Sequence, residues 1–261
     1  MALADRYDGF LIDLDGVVWV GREPVPGSPE ALAALLEAGR EIAFVTNNPT
    51  HPPSRYAERL AEVGVEVAPE RIVTAGMVAA RLAAAAAGPG GGVFVIGAEP
   101  LKEMVAAAGA VALEGEDGRD ARAVVVSGHR GFDYEELLTS KRALDAGAAL
   151  FATSHDPTMP MPGGEWPGTG AVLAAVERAA GRTAEIGGKP EGHLFEMGLE
   201  AIGAPPRVAM VGDRVSSDIA GGRAAGLDTV LVLSGTSDRA DAEAADPAPD
   251  HVLGSLADLL R

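Results

Sequence analysis

The sequence predicts an α/β protein: a doubly wound parallel sheet covered by helices, with a second α/β unit inserted into it. Three observations predict this. Short β-rich runs alternate regularly with Ala/Leu-rich helical stretches along the chain. Several of the β-rich runs are continuously apolar, as strands buried on both faces are. Polar residues capable of chemistry follow the carboxyl ends of these runs, where open α/β sheets place their sites.

Taken in order, strands are expected over 10–13, 42–45, 93–96, 123–126, 150–152, 208–211 and 229–233. Helical patterns fall between them at 29–38, 54–63, 100–107, 134–146, 171–180 and 219–225. Pro29 suits a first helical turn and Gly39 a helix stop. The middle of the chain carries its own strand–helix pattern and is flanked by the glycine-rich stretches Gly88–Gly92 and Gly187-Gly188. It reads as an insert, which divides the chain into a core of 1–87 and 183–261 and an inserted α/β domain of 88–182. The alternative is one continuous sheet. The one long uncharged stretch, 82–98, is broken by Pro89 and its neighbouring glycines. It reads as a helix end, a loop and a short strand, so no membrane span is expected. The N-terminus shows no signal-peptide pattern.

The chain has 261 residues, of which 47% are hydrophobic, enough for a sizeable core. Its net charge of −17 argues against nucleic acid or an anionic membrane as partner, since both would be repelled. It has no cysteine, which excludes disulfides and thiolate chemistry and fits a cytoplasmic protein. Its cations are mostly arginine; the lysines are Lys102, Lys141 and Lys189.

Phe10-Leu11-Ile12-Asp13-Leu14-Asp15-Gly16 places two carboxylates at the end of an apolar run. Desolvating paired anions is costly unless a cation or a chemical role compensates; the plainer reading is a solvated strand end turned by Gly16. Thr46-Asn47-Asn48 reads either as a turn capping the next helix or as donors for a phosphate oxygen. Lys189, held between two glycines and a proline, is either a surface lysine or a point charge for an anion. Gly212-Asp213-Arg214-Val215-Ser216-Ser217-Asp218 follows the cleanest strand. There Asp213 occupies the position that Asp13 occupies in the first unit, and Asp218 is either a helix cap or part of the same acidic set. Carboxylates of this kind, with a backbone carbonyl and waters, form the oxygen shell that Mg²⁺ takes.

These segments in this order resemble the four motifs of the haloacid dehalogenase-like hydrolase superfamily. The segments Gly168-Thr169-Gly170-Ala171 and Gly188-Lys189-Pro190 are similar to its subfamily IIA, which includes NagD, the 4-nitrophenyl phosphatases, and the phosphoglycolate and pyridoxal-phosphate phosphatases. The resemblance implies a Rossmann-like core with an inserted α/β cap of the C2 type, and an Mg²⁺-dependent phosphatase acting through an aspartyl-phosphate. It implies that Asp13 is the nucleophile and Asp15 the acid and base. It implies that Mg²⁺ is held by Asp13, the Asp15 carbonyl and Asp213, with Asp218 just beyond these ligands. Thr46, Asn47 and Asn48 would bind phosphate together with Lys189. Where the cap often has Thr-Asn-Asp, this chain has Thr153-Ser154-His155-Asp156. The loop follows the apolar strand ending at Ala152 and clusters polar groups, so His155 and Asp156 are its expected substrate contacts, the plainer reading of His155 being a hydrogen-bonded structural residue.

The expected substrate is a small phosphorylated metabolite such as glycerol 3-phosphate or phosphoglycolate. A nucleotide, a sugar phosphate or pyridoxal phosphate is the alternative. A homodimer through the cap is also implied. Other readings of the same residues are a phosphoryl mutase, a dehalogenase or a Mg²⁺-binding receiver-like signalling module, but the last is shorter and neither of the last two needs Asp15.

Overall fold

A computed structural model describes residues 2–161 and 164–261, and the chain divides into two compact units. The first comprises residues 1–46, 53–73 and 189–261, and the second residues 47–52 and 74–188.

The first unit is built on a six-stranded sheet. Its order is His251–Leu253, Asp228–Val232, Val208–Gly212, Gly9–Ile12, Glu41–Thr46 and Ile72–Thr74. Every pairing from the His251–Leu253 edge to Glu41–Thr46 is parallel. Gly9–Ile12 lies between Val208–Gly212 and Glu41–Thr46 and is buried throughout, as its unbroken apolar sequence requires. Successive side chains point to opposite faces. Phe10 and Ile12 join Phe44, Leu32, Leu35, Tyr56 and Leu60 in one core. Leu11 faces the other way, where helix Gly192–Ala201 comes so close that a Cβ on Gly198 would touch Leu11 and Val45. Helices therefore cover both faces, as expected.

The second unit has its own sheet, ordered Glu185–Ile186, Ala149–Ala152, Ala123–Val126, Gly92–Ile96 and Val111–Leu113, with all pairings parallel. One face packs Phe94, Ile96, Val124 and Val126 against helices Tyr134–Asp145 and Thr169–Ala180. The other packs Val93, Val95 and Val125 against helices Ala75–Ala87 and Glu99–Ala107. An antiparallel hairpin of Thr158–Met161 and Gly164–Pro167 completes it.

The unit boundaries differ from the expected 88 and 182. Helix Ala75–Ala87 belongs with the insert because Ala79, Ala80, Ala83, Ala84 and Ala87 bury their methyls on its sheet. At the other end the second unit runs on to Gly188, through the edge strand Glu185–Ile186. Among the described residues no helix is long and apolar enough to cross a membrane.

Candidate active site

Three strand ends of the first unit lie side by side in the sheet and deliver its polar residues. Asp13 follows Gly9–Ile12, its amide donating to the Val211 carbonyl at 2.9 Å. Thr46 ends the Glu41–Thr46 strand and is buried. Asp213 follows Val208–Gly212.

The carboxylates of Asp13, Asp213 and Asp218 gather here, each offering an oxygen within 4.8 Å of the others, and all three residues are buried. Lys189 joins them from the segment before helix Gly192–Ala201 and is 4% exposed. Its Nζ lies 2.8 Å from Asp13 Oδ1 and 2.7 Å from Asp218 Oδ1, and it donates to the Val45 carbonyl at 3.2 Å. Asp13 Oδ1 also accepts from the Leu14 amide at 2.8 Å. Its Oδ2 has no protein partner among the described residues and is left for chemistry.

Backbone geometry sets the other two carboxylates. Asp213 Oδ2 accepts from the Thr236 amide at 2.6 Å. Asp218 lies in a π-type turn, Val215–Ile219, and its Oδ2 accepts from the Arg214 amide at 3.0 Å. It is therefore not the cap of the following helix. With Oδ1 on Lys189 and Oδ2 on a backbone amide, Asp218 is placed to orient the lysine. Glycine is required at two points. Gly16 has φ +88°, and a Cβ there would run into the Asp213 carboxylate. A Cβ on Gly212 would run into Asp218.

The electrostatics follow from burial. Burial pushes the Asp13 carboxyl well above the ordinary range; Lys189 pulls it back, while Asp218 and Asp213 push it further. Burial also raises Asp213, and Asp218 adds to this against the Thr236 hydrogen bonds. For Lys189, burial lowers the pKa, but Asp13 and Asp218 outweigh it and hold the ammonium charged. Three carboxylates thus share one cation. A hard divalent cation with oxygen ligands fits both the excess negative charge and the donor set.

Asp15 stands apart from this cluster. Its side chain is exposed and accepts from the Trp19 indole at 3.0 Å. Asn47 and Asn48 belong to the second unit, where Asn48 Oδ1 accepts from the Thr50 amide at 3.1 Å and its hydroxyl at 2.7 Å, an Asx turn. His155 and Asp156 also lie in the second unit. His155 is exposed, whereas Asp156 is tied to its own loop, its amide donating to Ser154 Oγ and its Oδ2 accepting from it, both at 2.9 Å. The sequence reading missed Thr236, because a backbone amide leaves no residue-type signal. It also passed over Trp19, one of only two tryptophans, four residues after Asp15.

Comparison with known proteins agrees with this geometry. Residues 10–111 match the haloacid dehalogenase-like hydrolase family and residues 186–259 a second HAD-hydrolase-like family. Mouse chronophin is 38% identical over 98% of this chain and 92% of its own length. The crystal structure of a glycerol phosphate phosphatase from Mycobacterium tuberculosis, in complex with magnesium, superposes with a TM-score of 0.92 at 33% identity, covering 100% of this chain and 78% of that one. NagD from E. coli K-12 gives a TM-score of 0.87 at 27% identity, covering 96% of this chain and 97% of that one. The chain belongs to the haloacid dehalogenase-like hydrolases, in the branch that holds NagD, and is a phosphatase.

Proposed function

We propose that the chain hydrolyses small phosphate monoesters with Mg²⁺, through an aspartyl-phosphate on Asp13, and that glycerol 3-phosphate is its foremost substrate. The observation that carries this reading is the buried set of Asp13, Asp213 and Asp218 around a single lysine. A phosphate monoester brings nearly two further negative charges. A carboxylate attacks such a dianion only where cations offset the repulsion. Asp13, the Asp15 carbonyl and Asp213 would hold Mg²⁺, which when bound would supply that offset as a Lewis acid.

The chain's own residues do the rest. Asp13 Oδ1 is fixed by Lys189 and the Leu14 amide, which leaves Oδ2 to attack phosphorus. Asp15 gives its proton to the departing alkoxide. It then takes a proton from the water that attacks the aspartyl-phosphate, so aspartate, alcohol and phosphate are released with protons balanced. Thr46, Asn47, Asn48 and Lys189 are the proposed ligands of the phosphate oxygens.

The second unit is the substrate-selecting cap, with residues 47–52 and 74–188 as its extent, and His155 and Asp156 in its contact loop. The likeness to a glycerol phosphate phosphatase supports glycerol 3-phosphate; phosphoglycolate, nucleotides, sugar phosphates and pyridoxal phosphate are the competing esters. The family assignment sets aside the receiver-like alternative. A homodimer through the insert belongs to the same reading, supported by the exposed Val111 on an edge strand and the exposed Tyr134, and so does a cytoplasmic location for a cysteine-free chain. The test is phosphate release from a panel of these esters with and without Mg²⁺. Glycerol 3-phosphate should give the highest kcat/KM, and full activity in excess chelator would refute the mechanism.

A further inference from the structure

We propose that Trp19 is the positioning residue for Asp15 and that Arg59 locks Trp19 in place; this rests on the assignment of Asp15 as acid and base. Trp19 is 1% exposed, and its indole N–H donates to Asp15 Oδ1 at 3.0 Å. The loop between them closes tightly. The Gly16 amide donates to the Trp19 carbonyl at 2.7 Å, and the Val18 amide to the Leu14 carbonyl at 2.9 Å. Behind the ring, the guanidinium carbon of Arg59 lies 3.8 Å from the Trp19 ring centre. Arg59 also donates to the Gly21 carbonyl, which ties the Trp19 loop to helix Pro53–Glu62.

An exposed aspartate on a loop samples several rotamers. Here one is selected, because turning Asp15 away leaves a buried indole N–H without a partner. Asp15 Oδ2 has no protein partner among the described residues and is the oxygen left to carry the proton. A proton donor must be held close to its productive position, so the N–H of Trp19 contributes to rate without touching substrate.

The test exploits leaving groups. An alkoxide leaves poorly without protonation, whereas 4-nitrophenolate leaves unaided. Trp19→Phe removes the N–H together with part of the buried ring, and leaves an aromatic face for Arg59 to stack on. With glycerol 3-phosphate its kcat should fall about tenfold or more, with KM held within about twofold. The burst of nitrophenolate from 4-nitrophenyl phosphate should stay near that of the wild type. Arg59→Met, which keeps the indole donor but loosens its support, should show a smaller split in the same direction. Asp15→Asn run in parallel separates the two assignments. If it shows no leaving-group split, the role of Asp15 fails and Trp19 positions nothing of use. If it shows the split and Trp19→Phe does not, or if Trp19→Phe loses both substrates equally, the inference about Trp19 is overturned.

Discussion

Lys189 is fixed onto Asp13: its ammonium lies 2.8 Å from Oδ1, and both residues are buried. The contact joins two parts of the chain far apart in sequence, and it assigns the two oxygens of Asp13 different tasks, since Oδ1 is occupied and Oδ2 is not. Removing the ammonium leaves Asp13 and Asp218 buried without the cation that pairs them. Breaking a buried pair on one side costs about 3–5 kcal/mol. Lys189→Met should therefore lower the melting temperature of the metal-free protein clearly and abolish turnover. Thermal melts in chelator, with activity measured alongside, check this, and an unchanged melting temperature would show that the pair does not hold the fold.

Asp13→Asn should fold normally and form no phospho-enzyme, because an amide is not a nucleophile for phosphorus. Asp15→Asn should bind substrate much as the wild type does and turn it over about 10²–10⁴-fold more slowly, the usual worth of a positioned acid and base. Trapping of labelled enzyme after acid quench distinguishes the two. Near-normal turnover in Asp13→Asn would remove it as the nucleophile.

The acidic cluster also predicts a trade between stability and metal binding. The folded-state pKa of Asp213 is raised above its ordinary 3.8. Its protonated form therefore favours the fold: that stabilisation is complete below pH 3.8 and is lost as pH rises through the folded value. At neutral pH in chelator, Asp213→Asn should then melt higher than the wild type, by about 2–4 °C for each kcal/mol relieved, since an amide oxygen still accepts from Thr236. Mg²⁺ should stabilise the wild type by linkage and this variant much less. Asp213→Ala should need more Mg²⁺ for the same activity. Identical Mg²⁺ titrations for wild type and variant would remove Asp213 from the metal site.

Much of this was legible because the core strands announce themselves. Phe10–Ile12 and Val208–Val211 are unbroken apolar runs ended by Asp13 and Gly212-Asp213, so the strand ends stand out in the sequence itself. Of helix Ala75–Ala87 only the end was legible, because a run rich in alanine carries little periodicity to show where it starts or which sheet it covers. The edge strands Val111–Leu113 and His251–Leu253 are too short and too open to water to stand out. Asp218 could be read from sequence as a cap or as part of the acidic set. Its π-type turn and full burial, both products of tertiary packing, decide between them.

The last prediction separates the two residues expected to meet substrate in the insert. Asp156 has its carboxylate on Ser154 Oγ at 2.9 Å, and its carbonyl accepts from the Gly170 amide at 2.8 Å, so its side chain shapes the loop. His155 is exposed next to it. On the proposed mechanism the buried carboxylates meet only the phosphoryl group, so discrimination between esters would come from elsewhere, and His155 is the exposed candidate on this loop. His155→Ala should reorder kcat/KM among glycerol 3-phosphate, phosphoglycolate and pyridoxal phosphate while leaving the Mg²⁺ titration unchanged. Asp156→Ala should lower activity on all three by a similar factor, since it removes a bond that holds the loop. A panel of the three esters with both variants checks this. An unchanged ranking in His155→Ala, or a ranking altered only in Asp156→Ala, would move substrate selection away from His155.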